Sequence, residues 1–278
     1  MRCVTVVLYL LPSQGYEVLS KYVALYAANL IKDNNTLKAL DLFCRYGAPA
    51  NPQNFNIYKR IISDVISMAG LSSAESYHTW ADLRDVLFEI VDGLGKGSAA
   101  SSPLAQEFEV MFEIVHYYST RCACMQHKSL DTLAAKLSIS LLRHSDIVPC
   151  YKAFYEAGVA AKGVGWDNMA FVFLNRYLDL SEKLADLNKY INSLTNCKQG
   201  GETRRSERVG VGCIYGSKGY PVLRNKMEFK RPGKAANKED WNKFIMATEV
   251  SHSPECQDVL RFLGNWCGAP QNPSYSFN

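Results

Sequence analysis

The chain has 278 residues, 47% apolar and 21% charged, and carries a formal net charge of +4 at pH 7. This balance excludes a disordered or fibrous protein and allows one large core, or a core with a small second unit. Residues 1–197 hold 18 basic and 19 acidic side chains and residues 198–278 hold 13 and 8, a shift in charge that predicts a division near Cys197.

The opening MRCVTVVLYLLPSQG has an apolar run from Val4 to Leu11, short for a secretory leader and without a small-x-small cleavage site. It reads as a buried first strand or half-helix. No apolar run reaches the roughly eighteen residues of a membrane span. Of nine cysteines, Cys44, Cys122, Cys124 and Cys150 fall in apolar or helical runs, where a free thiol acts as a small hydrophobe, which predicts a reducing compartment.

From Tyr16 to about Lys198, apolar residues recur at spacings of three and four. The pattern predicts helices over 18–32, 36–46, 54–69, 74–93, 104–125, 129–144, 149–163 and 166–194. Breaks fall at Asn34 and Asn35, at GAPANP (47–52), at GKGSAASSP (95–103) and at GVG (163–165). Eight helices in consecutive pairs suggest stacked helical hairpins, which bury together the faces that one pair cannot bury alone. In a tetratricopeptide-like pair, a small residue on the first helix faces another twelve positions later, so that the two backbones approach closely. Ala27 and Ala39 have this spacing, with Phe43 and Tyr46 following, and so do Gly158 and Ala170, with Leu174 and Tyr177 following. Ala123 and Ala135 also span twelve, without the flanking aromatics. The expected fold is mainly α, a solenoid of about four helical pairs with irregular central members.

KQGGETRRSERVGVG (198–212) has the composition of a basic linker. After it, Val222, Met227 and Phe229 suggest short strands or a hairpin arm. Lys238–Val250 reads as a helix capped by Asn237, with Trp241, Phe244 and Ile245 on one face. A last helix opens at Ser253 and Pro254 and carries Val259, Leu260, Phe262, Leu263 and Trp266. GAPQNPSYSFN reads as a frayed tail.

Catalytic and cofactor patterns are missing from the sequence. GKGS (95–98) lacks a phosphate-loop frame, and neither HExxH nor GxSxG occurs. His116 and His127 are eleven apart, too far to share a metal, and Cys122 and Cys124 diverge on a helix. Cys213, His252, Cys256 and Cys267 can each bind zinc but match no knuckle spacing. The expectation is no catalytic residue, no metal and no cofactor. The basic stretch 219–244 is interrupted by Glu228, Glu239 and Asp240, and its aromatics sit at core spacing, which argues against a nucleic-acid or membrane-surface site.

Five long strings carry a family resemblance: GAPANPQNFNIYKRI (47–61), AESYHTWADLRDVLFEI (74–90), KLSISLLRH (136–144), KAFYEAGVAAKGVGWDNMAFVFLNRYLDL (152–180) and GYPVLRNKMEFKRPGKAANKEDWNKF (219–244). They resemble the C-terminal part of the intraflagellar transport protein 172 family, peripheral subunits of intraflagellar transport complex B. The resemblance implies a tetratricopeptide-like solenoid over 18–197, a linker over 198–212, a small α+β U-box-like module over 213–268 and a tail over 269–278. Residues 1–17 have no counterpart in the resemblance and are unassigned. Where the family has a longer acidic connection after NRYLDL, this chain has KLADLNKYINSLTNCKQGGETRRSERVGVGCIYGSK.

The resemblance further implies a non-enzymatic scaffold or adaptor needed for cilium assembly and maintenance. Its expected partners are other complex B subunits and, as a further set, complex A subunits. Its expected location is the cilium, at axoneme, basal body and tip, with a cytoplasmic pool. A U-box holds ubiquitin or a ubiquitin-conjugating enzyme without zinc, and the matching contact residues would be Gly219, Tyr220, Pro221 and Val222. Ubiquitin ligase activity through that module is the alternative implied function. Trp241 and Phe244 are read as core residues of the module rather than contacts.

Overall fold

The computed structural model describes residues 15–46, 52–95, 102–196, 226–230 and 234–272. These form ten α-helices and one two-stranded hairpin. Eight helices come first: α1 (Gly15–Lys32), α2 (Thr36–Tyr46), α3 (Pro52–Ser67), α4 (Tyr77–Gly95), α5 (Pro103–Cys124), α6 (Asp131–Ser140), α7 (Cys150–Gly163) and α8 (Asp167–Asn196). Strands β1 (Lys226–Glu228) and β2 (Ala235–Asn237) follow, paired antiparallel with Met227 opposite Ala236, and helices α9 (Lys238–Ser251) and α10 (Pro254–Cys267) close the described chain.

Small residues set the closest approaches between helices. Ala27 on α1 and Ala39 on α2 are both fully buried. Asn34 turns the chain between those helices at φ 56°, a left-handed conformation that Asn tolerates better than most residues. In the α7–α8 pair, a Cβ added at Gly158 would lie 2.7 Å from the Leu174 side chain and 3.3 Å from its backbone nitrogen. Ala123 on α5 and Ala135 on α6 are buried as well, so the twelve-residue spacing recurs in the centre without its aromatics.

Two predicted helices differ in detail. The stretch 74–93 begins as a 3-10 turn (Ala74–Ser76) before α4, preceded by another at Ala69–Ser72. Trp80 Nε1 donates to the Leu71 carbonyl at 2.8 Å and ties the earlier turn to α4. The stretch 129–144 divides into α6 with 3-10 turns at Lys128–Leu130 and Leu141–His144. Ser138 and Ser140 donate to the carbonyls of Ala134 and Lys136 four residues back, a competition that loosens an α-helix near its end.

The caps follow local chemistry. Ser102 accepts from the Ala105 N–H with Pro103 in the first turn of α5. Asn237 accepts from the Glu239 N–H to open α9, and Ser253 accepts from the Cys256 N–H to open α10. Trp241, Phe244, Ile245, Cys256 and Val259 are buried in the same hydrophobic cluster as the residues of α1–α7. The final helices therefore share one core with the array.

Candidate interaction surfaces

Two buried ionic clusters tie the helices of the core together. In the first, Arg121 on α5, with a side chain 2% exposed, reaches Glu156 on α7 at 2.6 Å. Ser72 and Tyr118 also donate to Glu156, and Arg121 donates to the Ser72 carbonyl. Trp80 stacks on Tyr118 with ring centroids 4.4 Å apart. The turn before α4, helix α5 and helix α7 are joined in one knot.

The second cluster seats α10 on α4 and α5. Arg84, 1% exposed, donates to Asp258 at 2.9 Å, and the Tyr77 hydroxyl donates to the same carboxylate oxygen at 2.6 Å. Burial pushes the Asp258 carboxyl up, but the hydrogen bonds from Tyr77, Arg84 and Arg261 outweigh it and hold the group below the ordinary carboxylate range. Phe262 lies 4.1 Å beneath the Arg84 guanidinium and meets Phe88 edge-on, while Trp266 meets Phe112 edge-on at 4.9 Å. His116 packs between Phe262 and Trp266. Burial, reinforced by Arg84 and Lys234, lowers its pKa to about 3, so the ring is neutral near pH 7. Lys136 on α6 pairs with Asp240 on α9 at 2.5 Å, and Lys234 beside β2 reaches Glu113 on α5 at 3.7 Å.

Among the described residues, large apolar side chains are exposed on the first helix and on the last helical pair of the array. Tyr22, Leu25 and Tyr26 on α1 are 63%, 65% and 58% exposed, at the i, i+3, i+4 spacing of a single helical stripe. Phe171, Val172 and Leu178 on α8 and Tyr151, Tyr155 and Val159 on α7 are also exposed, and the Tyr155 and Tyr177 rings, 5.1 Å apart, link the two helices. Clusters of large exposed apolar side chains are candidate sites of protein contact.

The thiols of Cys44, Cys122 and Cys256 are pushed up to about 12, 11 and 11, mainly by burial, and are protonated at neutral pH. Among the described residues, no group of three or more His, Cys, Asp or Glu side chains converges to hold a metal. No helix among them is long and apolar enough to cross a membrane. Cys256 and Cys267 are buried, His252 is exposed at the left-handed cap of α9, and Cys213 lies outside the described residues. Gly219, Tyr220, Pro221 and Val222 also lie outside them. Trp241 and Phe244 are 5% and 2% exposed and pack together with Phe229 beside Trp241. Arg84 and Arg121, the cations of the two buried clusters, are not singled out by the sequence reading. The available signal was the apolar spacing of Trp80, Leu83, Leu87 and Val91, which puts Arg84 on the core face of α4.

No protein-family model matches the chain. Curated relatives do. The chain is 48% identical to the human intraflagellar transport protein 172 homolog over 314 aligned positions, which take in 95% of the chain and 18% of the relative. The zebrafish (Danio rerio) homolog is 43% identical with the same coverage, and the Drosophila melanogaster homolog is 30% identical over 91% of the chain and 17% of the relative. The chain thus spans about 18% of the length of these vertebrate relatives. An aligned span of 314 positions exceeds the chain's own 278 residues, so the human relative carries residues within it that this chain lacks. Over nearly all of its length, the chain is a homologue of a small C-terminal part of intraflagellar transport protein 172.

Proposed function

We propose that the chain is a non-enzymatic scaffold of intraflagellar transport, working in the cilium by binding other subunits of the transport machinery. The observation that carries this reading is the 48% identity to the human intraflagellar transport protein 172 homolog across 95% of the chain. The exposed apolar residues of α1 and of α7–α8 are the contact faces this reading assigns, because they present large apolar side chains to solvent, and α7 is held to α5 by the Arg121–Glu156 pair. Stacked helical pairs of tetratricopeptide type present extended surfaces suited to such partners. The test is affinity purification of the tagged chain from ciliated cells. Recovery of complex B or complex A subunits supports the scaffold, and a clean preparation without them overturns it.

The hairpin β1–β2 with α9 and α10 is, in the same reading, the remnant of a U-box-like module that binds ubiquitin or a conjugating enzyme through Gly219, Tyr220, Pro221 and Val222. Support comes from the resemblance of residues 219–244 to the family and from the hairpin followed by a capped helix. Ubiquitin binding by the full chain that is lost in Val222→Asp, without ubiquitin-chain formation, is the expected result. Chain formation with a conjugating enzyme would instead make the protein a ligase.

A further inference from the structure

Helix α8 outruns its neighbour. Its 30 residues extend roughly 45 Å, while the 14 residues of α7 extend roughly 21 Å. The two run antiparallel: Gly158 faces Leu174 and Tyr155 meets Tyr177, so α7 begins, at Cys150, opposite Glu182. From that level on, Glu182, Lys183, Leu184 and Ala185, a full helical turn, are all exposed. Among the described elements, α7 is the one with which α8 shares an extended contact.

The apolar register by which α8 packs on α7 does not stop where α7 does. Ala170 and Phe173, each 2% exposed, and Tyr177 open a series of alternating three- and four-residue steps. The series continues without a polar interruption through Leu180, Leu184, Leu187, Ile191 and Leu194. Such a repeat on one helix is a coiled-coil seam, and a seam calls for a facing helix. Phe171, Val172 and Leu178 fall outside this register, so the seam is separate from the exposed apolar residues described above.

Three features specify the facing helix. First, α7 occupies the seam side of α8 as far as Glu182, so an added helix must lie in line with α7, beyond its start. A parallel second copy would bring its own α7 into that same row and collide, whereas an antiparallel copy extends away from it. Second, the steps from Leu184 to Leu187, Ile191 and Leu194 are three, four and three, which read the same in both directions. A two-fold axis at Lys189 therefore sets Leu184 of one copy against Leu194 of the other, and Leu187 against Ile191. Third, the positions flanking the seam, Ser181, Lys183, Asn188, Tyr190 and Thr195, include a single charged residue, so no like charges meet across it.

We propose that residues 184–194 of α8 are a dimerisation seam, occupied by the same segment of a second copy running antiparallel. Each helix tip fills the row left vacant beyond the other copy's α7, and the two-fold contact is closed. The tip extends a helix already held at its base by α7, so pairing does not carry the cost of helix nucleation. Four apolar layers make a short seam, and the dimer forms as concentration rises.

Sedimentation equilibrium of the full chain over a concentration series is the test. The unaltered chain should show a monomer–dimer equilibrium. Leu187→Glu and Ile191→Lys each place two charges in the seam and should each remain monomeric. Their equimolar mixture should recover the dimer, because antiparallel pairing sets Glu against Lys in one layer and leaves Ile against Leu in the other. Lys189→Glu, off the seam, should leave the dimer intact. An unaltered chain that is monomeric throughout, single variants that dimerise as the unaltered chain does, or a mixture that stays monomeric with both variants folded by circular dichroism each overturn the proposal. Should either charged variant fail to fold, Leu184→Ala with Leu194→Ala keeps the helix and should weaken the dimer at least about tenfold. An unchanged dissociation constant in that variant overturns the proposal equally.

Discussion

The guanidinium of Arg84 on α4 and the carboxylate of Asp258 on α10 stand 174 residues apart in the chain and 2.9 Å apart in the fold. This pair, with Tyr77 on the same carboxylate and Phe262 under the guanidinium, determines where the C-terminal helices sit. Asp258→Ala leaves the buried Arg84 guanidinium with Asp85, 2.8 Å away, as its remaining carboxylate partner and should cost about 1–3 kcal/mol of stability, read from denaturant unfolding. Adding Arg84→Met should recover part of that loss, because the under-paired charge goes with it. A double variant weaker by the sum of the two single effects would mean that the pair contributes nothing as a pair.

Acid should loosen the α10 seat in two stages. The folded-state pKa of His116 is depressed to about 3 from an ordinary value near 6.5, so between those values the unfolded chain binds the extra proton and stability falls as the pH drops. The loss between pH 7 and pH 5 should be about 2 kcal/mol. His116→Phe keeps the ring contacts with Phe262 and Trp266 and should flatten this part of the profile. Asp258 is also depressed, as a carboxylate, so its contribution is full above the ordinary carboxylate pKa and is lost only as the pH falls through its lower folded value. An unchanged slope in His116→Phe between pH 7 and pH 5 would remove His116 from the account.

What could be read in advance was local. Ala27 with Ala39 and Gly158 with Ala170 announce close helix pairs because a twelve-residue spacing is a property of one hairpin. Asn237 and Ser253 announce helix starts because a cap bonds to an N–H two or three residues on. The docking of α10 was not legible, since nothing near Asp258 in sequence tells which distant cation it meets. Arg84 and Arg121 carry full charges on apolar helix faces; Asp85 meets Arg84 locally, whereas only the fold brings Asp258 to Arg84 and Glu156 to Arg121. The contact residues expected at 219–222 lie outside the described residues.

Gly158 is a point of close approach between α7 and α8. Gly158→Val should destabilise the chain by roughly 1–3 kcal/mol, because its side chain must displace Leu174 and press on the α8 backbone. Thermal unfolding compared with Gly163→Ala, where a Cβ meets nothing within 4 Å, separates overpacking from the change in backbone freedom. Equal melting shifts for the two would argue against the close approach.

Ser253 caps α10 through the Cys256 N–H. Ser253→Ala should cost about 1 kcal/mol and raise amide exchange in the first turn of α10 more than in α5. A uniform rise across both helices would show that the cap acts on the whole core rather than on its own helix.

The scaffold reading depends most directly on the exposed stripe of α7 and α8. Affinity purification from ciliated cells should compare the tagged chain with a variant carrying Phe171→Ser and Leu178→Ser, both at positions more than half exposed. The account predicts recovery of transport-complex subunits by the unaltered chain and their loss from the variant at unchanged folding. Subunits recovered equally by both would remove the stripe, and subunits recovered by neither would contradict the scaffold itself.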